Sequence, residues 1–403
     1  MYYSILFIGL ILFLLNSYRK FKKVYYFWAS HTDISKKEKN NFISLLIPVF
    51  QEEVIIENTI EYFNQIQNPN IQVYYITTEK ERQLFWEINP TEEVLKKLVS
   101  PTKIITYPYT TWDKSSQLNY AISLLINKYK DNQHFFAIFD ADSRPDLIWL
   151  EEIIRDAQPE KVYQMVSIYN TNFSSLSCIN KANAILQTRR SFYFELQRLS
   201  SNYYWDNTKK LMYLVGHGLI INENLIKQHP LPENSITEDI LYWYFLFLSK
   251  IYAKPLLYFD YCSVPTSLNT NLIQISRRFY WEFEAVTWFL LKKNNQFLFL
   301  KRLYELLLWW YGGSLVFLLF IMVYLQPSPV LLFLFIMGML FDYLSFKVIS
   351  IRHFSLWWHR MVILYLFSMI KNILDIIPLS ISIAQLFYNK VFKKKQKFVK
   401  TRR

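Results

Sequence analysis

"HFFAIFDADSRPD", residues 134–146, decides the fold. Phe135 to Phe139 form a continuous apolar run of the strand type, and the run ends on Asp140-Ala141-Asp142. Residues i and i+2 of a strand face the same side, so the two carboxylates leave the strand end together. One reading is a turn, because Asp and Ser are favoured where a strand gives way to a loop and a helix cap. The other is a divalent-metal site, because carboxylate oxygens are the ligands hard cations take. The rest of the chain decides between them.

Working outward, residues 42–260 alternate short apolar runs with amphipathic ones, the pattern of alternating strands and helices. Strands are expected at 42–49, 71–77, 102–108, 134–140 and 161–169, with helices at 52–66 and 115–129. The ends of the chain are different. Residues 2–16 (YYSILFIGLILFLLN) are apolar, with neither a basic region before them nor a small-residue cleavage site after, and read as a retained anchor. Apolar segments return at 303–325, 329–346 and 361–387, the last interrupted by Lys371, Asp375 and Pro378. The expected organisation is an anchor at 1–18, a catalytic domain at 40–270, an interfacial amphipathic helix region at 271–300, a transmembrane region at 301–389 and a basic tail at 390–403.

The 403 residues are 52% hydrophobic and 19% aromatic, with six glycines and a net charge of +13, enough for one large domain plus a membrane portion. The basic clusters SYRKFKK (17–23) and KVFKKKQKFVKTRR (390–403) border apolar segments. That placement fits an anionic lipid surface and topology signalling, and not nucleic acid. The Lys/Arg bias puts residues 17–302 on the cytoplasmic side of the cell membrane. A simple fourth span would place the basic tail outside, so 361–387 reads as re-entrant, a tight hairpin or interfacial. Cys178 and Cys262 have no CxxC spacing, so neither a disulfide framework nor a Cys-based zinc site is expected. The five histidines other than His217, at 31, 134, 229, 353 and 359, likewise show no metal-ligand spacing.

Further motifs follow in order. "IPVFQEE" (47–53) closes the first strand, "WDKSSQLNYAI" (112–122) opens a helix behind Lys114, and "FDAD" closes a later strand. "LVGHGLIINENLI" (214–226) spends two of the six glycines, "SITEDILYWYFLF" (235–247) starts an apolar helix on two acids, and "QISRRFYWEF" (274–283) precedes the last apolar segments. Taken in this order, the set resembles the inverting family 2 glycosyltransferases of GT-A fold, particularly the membrane-bound polysaccharide synthases. The resemblance covers roughly residues 43–282.

The resemblance implies an α/β, Rossmann-like nucleotide-sugar domain between an N-terminal transmembrane anchor and a C-terminal transmembrane and interfacial helical region. It implies a Mg²⁺ or Mn²⁺ ion, which would neutralise the departing diphosphate. Asp142 would be the metal ligand, with Asp140 beside it toward the ribose and diphosphate. Lys114 would face the diphosphate or the base, and a solvated lysine at a helix start is the plain alternative. Glu52 matches the acid after the first strand, although Gln51 replaces the family's Asn. The family's base-contacting Asp is missing from "VYYITTEKER", where Glu79 is the nearest substitute. Asp239 would be the general base that takes a proton from the acceptor hydroxyl, with Glu238 next to it. Ser235 to Glu238 also spell a capping box, so Glu238 has a structural role open to it.

Gly216 and Gly218 mark backbone that a ligand approaches closely or a turn between strands, and His217 between them contacts the acceptor or is simply hydrogen-bonded. In the family's Q-x-x-R-W pattern, Gln274 and Arg277 match, Arg278 stands at the Trp position and Trp281 follows one turn later. Trp281 would sit by the acceptor sugar, and Arg277 or Arg278 by the donor diphosphate. The expected activity is inverting transfer of a sugar, from a donor that is preferentially a UDP-sugar, to a growing polysaccharide or lipid-linked acceptor at the cytoplasmic membrane face. A non-processive glycolipid transferase is the enzymatic alternative. The non-enzymatic one is a membrane scaffold or transporter that binds nucleotide sugars.

Overall fold

The computed structural model describes residues 2–29, 41–86, 88–110, 113–129, 133–204, 215–233, 238–292, 300, 302–304, 316–325, 328–375, 377, 380, 381 and 384. The tail at 390–403, Ser235 to Thr237 of the expected capping box, and most of 303–315 and 376–387 lie outside the described residues. The chain divides into two compact units, one made of 1–32, 168–197 and 263–403 and the other of 33–167 and 198–262. Residues 168–197, expected inside the 40–270 domain, therefore group with the terminal segments.

The second unit is built on a mixed sheet. Its strands are β1 (Phe42–Pro48), β2 (Ile71–Thr78), β3 (Ile104–Tyr107), β4 (His134–Ile138), β5 (Arg144–Pro145), β6 (Val162–Ile168), β7 (Leu219–Asn222) and β8 (Ala253–Tyr261), in the order β3-β2-β1-β4-β7-β6-β8-β5. The first four are mutually parallel, whereas β7 runs antiparallel to both β4 and β6. Parallel strands are covered on both faces and so read as unbroken apolar runs, as FISLLIP and HFFAI do. Ile43, Leu45 and Ile47 of β1 pack with Phe135, Ala137 and Phe139, against helices α2 (Ile56–Phe63), α4 (Pro90–Leu98) and α6 (Ile148–Asp156). Also in this unit are α3 (Glu79–Leu84), α5 (Lys114–Leu125), α9 (Glu223–Gln228) and α10 (Glu238–Leu248). β1 to β3 lead one way across the sheet and β4 lies on the other side of β1. The carboxyl ends of β1 and β4 thus form a topological switch point, the usual ligand crevice of open α/β sheets.

The first unit is helical, comprising α1 (Tyr2–Ala29), α7 (Cys178–Arg190), α11 (Leu268–Lys292), α12 (Val316–Leu325), α13 (Pro329–Phe354) and α14 (Trp358–Leu374). A helix α8 (Gln197–Tyr204) begins at the boundary. Among the described residues, α13 is the one helix long and apolar enough to cross a membrane by length and composition. α1 packs along α13 at Gly338, where a Cβ would collide with the Phe13 ring. One turn on, the Asp342 carboxylate pairs with Arg189 of α7 (3.0 Å) and Lys20 of α1 (3.8 Å) and accepts the Tyr365 hydroxyl of α14 (3.3 Å). An apolar helix holding one acid needs such partners, because an unpaired charge in an apolar interior is costly.

Candidate active site

The site grows from the end of β4. Antiparallel pairing sets Ile138 opposite Leu219, and the Gly218 N–H donates to the Ile138 carbonyl (2.8 Å). The Gly-His-Gly turn therefore begins where the Asp-Ala-Asp turn begins. Gly218 has φ +68°, and a Cβ there would stand 2.9 Å from Met165 Cβ, so this position needs glycine both for its backbone and for its space.

The Asp140–Ser143 segment is a true turn, closed by the Ser143 N–H to the Asp140 carbonyl (3.0 Å). Arg144 clamps it from below. Its guanidinium donates to the carbonyls of Ala141 (3.0 Å) and Ser143 (2.7 Å) and to the Thr59 hydroxyl (3.2 Å). The turn reading of this segment holds, and the ligand reading is a matter for the proposed function.

Lys114 reaches in from α5. Asp113 caps that helix, its Oδ1 accepting the Ser116 N–H at 2.6 Å. This fixes Lys114 at the first helical position, and its Nζ donates to Asp140 Oδ1 (2.6 Å) and the Gly216 carbonyl (2.5 Å). Asp239, in the first turn of α10, uses Oδ1 to accept the Ile240 N–H (2.8 Å) and turns Oδ2 toward Gly216. A Cβ on Gly216 would lie 3.3 Å from that oxygen and 3.5 Å from Lys114 Nζ. Lys114, Asp140, Gly216 and Asp239, spread over 126 positions of sequence, thus meet at one point.

The electrostatics follow from the crowding. Burial pushes Glu238 up, the neighbouring Asp239 charge pushes it further, Lys114 offsets part of the rise, and the carboxyl ends at about 8. Burial alone would lower Lys114, but Asp140, Glu238 and Asp239 outweigh it and hold the ammonium above its usual value. The cluster is one cation among acids that cannot all ionise together near neutral pH.

Asp142, half-buried in the same turn, offers carboxylate oxygens of the kind a hard divalent cation takes. Asp140 already gives Oδ1 to Lys114, so Asp140 and Asp142 hold different positions in the site. The Glu52 backbone N–H is held by the Thr91 hydroxyl (3.1 Å), and Gln51 takes a left-handed φ of 54°, its N–H bound by buried Glu81 (2.8 Å). Glu79, the substitute considered for base contact, pairs with Arg82 (3.1 Å). Gln274, Arg277, Arg278 and Trp281 lie together on α11 of the helical unit.

Two residues escaped the sequence reading. Asp260, at the end of β8, accepts hydrogen bonds from Ser143 Oγ (2.9 Å) and His217 Nδ1 (2.6 Å), and Cys262 Sγ lies 3.8 Å from that same nitrogen. His217, Asp260 and Cys262 thus bring three ligand-type atoms within 4.8 Å of one another, a grouping that no sequence spacing announced. The spacing of 43 residues between His217 and Asp260 carries no motif, and the pairing of Pro145 with Asp260 across β5 and β8 creates the cluster. The only hint in the sequence was the i, i+2 placement of Asp260 and Cys262 at a strand end.

The fold and site together define a mixed α/β protein with an acidic, lysine-bearing crevice at the carboxyl ends of its parallel strands. No family model matches the sequence, and no curated protein matches it. Among solved structures, the chain is similar to the mannosyltransferase PcManGT of Pyrobaculum calidifontis, crystallised with GDP-Man and Mn²⁺, at 12% identity and a TM-score of 0.49, covering 92% of this chain and 96% of that one. It is also similar to residues 1–349 of S. aureus TarS (12% identity, TM-score 0.37, 82% and 89% covered) and to a mycobacterial protein (10%, 0.35, 61% and 74%). These likenesses are too distant to assign a function, which the site residues alone must carry.

Proposed function

We propose that the chain is an inverting glycosyltransferase that moves a sugar from a nucleotide-sugar donor, preferentially a UDP-sugar, to a polysaccharide or lipid-linked acceptor at the cytoplasmic face of a membrane. The observation that carries this reading is the convergence of Lys114, Asp140, Gly216 and Asp239 at the crevice. Inverting transfer needs a base on one side of the sugar carbon and charge neutralisation for the departing diphosphate on the other. Asp239 is the base, its Oδ2 turned toward Gly216 at the crevice. Glu238, raised to about 8, stays protonated beside it and spares the site a second negative charge. The Lys114 ammonium supplies fixed positive charge toward the diphosphate, and Asp140 orients it. A Mg²⁺ or Mn²⁺ ion held by Asp142 would supply Lewis-acid neutralisation of the leaving group.

The membrane assignment is supported by the length and composition of α13 and by the basic residues of 17–23 at the end of α1's apolar run. Gln274, Arg277, Arg278 and Trp281 on α11 are proposed for the acceptor and diphosphate side, with Gly216 to Gly218 forming the acceptor-side wall.

Purified full-length chain in detergent, incubated with a panel of labelled nucleotide sugars and membrane acceptors, should release nucleotide and label the acceptor with one donor. Asp239→Asn should retain donor binding and lose transfer by about 10²-fold or more. Donor release at wild-type rate in that variant would remove Asp239 from the chemistry. Absence of turnover with every donor would leave a nucleotide-sugar-binding scaffold as the reading.

A further inference from the structure

His217, Asp260 and Cys262 present an imidazole nitrogen, a carboxylate oxygen and a thiol sulfur, all within 4.8 Å of one another. The three arrive from two places. His217 sits in the glycine turn before β7, and Asp260 and Cys262 face one side at the end of β8. The mechanism above uses none of the three side chains.

A second observation points to a ligand. Asp260 is 1% exposed, and its Oδ2 takes both available donors, Ser143 Oγ and His217 Nδ1. Its Oδ1 is buried with no hydrogen-bond partner among the described residues. A buried carboxylate oxygen left without a partner is costly, so such an atom calls for an explanation.

The geometry points to a zinc-type metal site formed by His217 Nδ1, the Asp260 carboxylate and Cys262 Sγ, distinct from the oxygen-ligand position at Asp142. Mixed nitrogen, oxygen and sulfur ligands select borderline-soft Zn²⁺ over Mg²⁺. Bonds of ~2.0–2.3 Å place tetrahedral ligand atoms roughly 3.3–3.8 Å apart. The Cys262 to His217 separation of 3.8 Å already suits this, and a metal in place of the shared hydrogen would widen the 2.6 Å contact between His217 and Asp260.

The charge also balances. Binding releases the Cys262 thiol proton to solvent and displaces the Nδ1 proton shared with Asp260. That proton shifts to Nε2 of a neutral ring or leaves a charged ring to solvent, so that one proton stays on Nε2. Thiolate, carboxylate and Zn²⁺ then sum to zero, so nearby Arg144 meets no net positive charge. Ser143 holds the carboxylate from outside, as partners of metal ligands do. Three protein ligands leave a fourth position open. A metal here would tie the turn carrying Gly216 to the end of β8 and so fix the wall beside Asp239.

The test uses the full chain in detergent, reduced and stripped of metal, titrated with Co²⁺ as a spectroscopic stand-in for zinc. One equivalent should bind with a near-ultraviolet thiolate-to-cobalt band, displaced by Zn²⁺ and not by excess Mg²⁺. The band should vanish in Cys262→Ala, persist in Cys178→Ala and Asp142→Asn, and appear at about tenfold higher cobalt in Ser143→Ala. That last variant removes one hydroxyl and keeps the test meaningful should Cys262→Ala unfold, with a thermal melt checking each protein. Absence of the band in the wild-type chain, its survival in folded Cys262→Ala, or its loss in Asp142→Asn would overturn the site. None of these readouts depends on sugar transfer.

Discussion

Gly216 has no special backbone angle to explain it, so its reason lies in what surrounds it. A methyl group there would meet Asp239 Oδ2 at 3.3 Å and Lys114 Nζ at 3.5 Å, closer to the oxygen than relaxed packing allows. Gly216→Ala should therefore fold normally and lose transfer by about tenfold or more, since small displacements of a catalytic group are costly. A melting temperature within a degree or two of wild type together with full activity would show that Gly216 is not packed against the base. Glu238 gives a second residue-level expectation. Its folded value of about 8 lies above the ordinary carboxyl value of 4.5, so the folded state holds the proton more tightly. Stability from this group is complete below pH ~4.5 and declines as pH rises toward ~8. Glu238→Gln should flatten that decline in a pH series of denaturant midpoints. It should also remove the limb near pH 8 from the pH–rate profile, and an unchanged profile would mean the pair does not titrate there.

At the scale of elements, legibility tracked burial. β1, β2, β4 and β6 were readable because both faces are covered and the runs FISLLIP, IQVYYITT, HFFAI and VYQMVSI are apolar almost throughout. β7 is four residues behind a glycine turn, too short to show a period. β8 contains Pro255, which argues against a strand. The short β5 pairs only with Tyr261 and Asp260, so the proline lies beyond its reach. With β8 unread, Asp260 and its hydrogen bonds were unread too. Lys114, Asp140 and Asp239 were legible because the order of their motifs survives in sequence, but their meeting point depends on the antiparallel placement of β7. Among the helices, α13 carries a prediction. Asp342→Ala would leave Arg189, 5% exposed, with its ion-pair partner gone. It should lower stability by about 3 kcal/mol or more, read as a drop in the denaturation midpoint in detergent. Asp342→Asn should lose less, because the amide oxygen still accepts the Tyr365 hydroxyl.

For the whole molecule, a sheet-based unit carries the candidate crevice, and a helical unit carries the one described helix long and apolar enough to cross a membrane. Orientation is the property to test at this scale. Cys178 is exposed and Cys262 buried, so an impermeant maleimide has one ready target. In sealed right-side-out vesicles Cys178 should be protected, and it should react once the vesicles are opened or inverted. Labelling from the outside would reverse the proposed topology. On the proposed topology, washing with high salt should leave the protein in the membrane, and its release by salt would overturn apolar spans as the anchor.

The Asp342 cluster also bears on the order in which the protein is made. Its basic partners arrive early, Lys20 in the first helix and Arg189 in α7, and the acid emerges about 150 residues after Arg189. Both cations, and all of the sheet unit from residue 33 to 262, precede the acid in the chain. α13 is thus the last-made piece of this cluster, because its carboxylate pairs with cations laid down in the first half of the chain. A chain truncated before residue 329 would lack the carboxylate that Lys20 and Arg189 share.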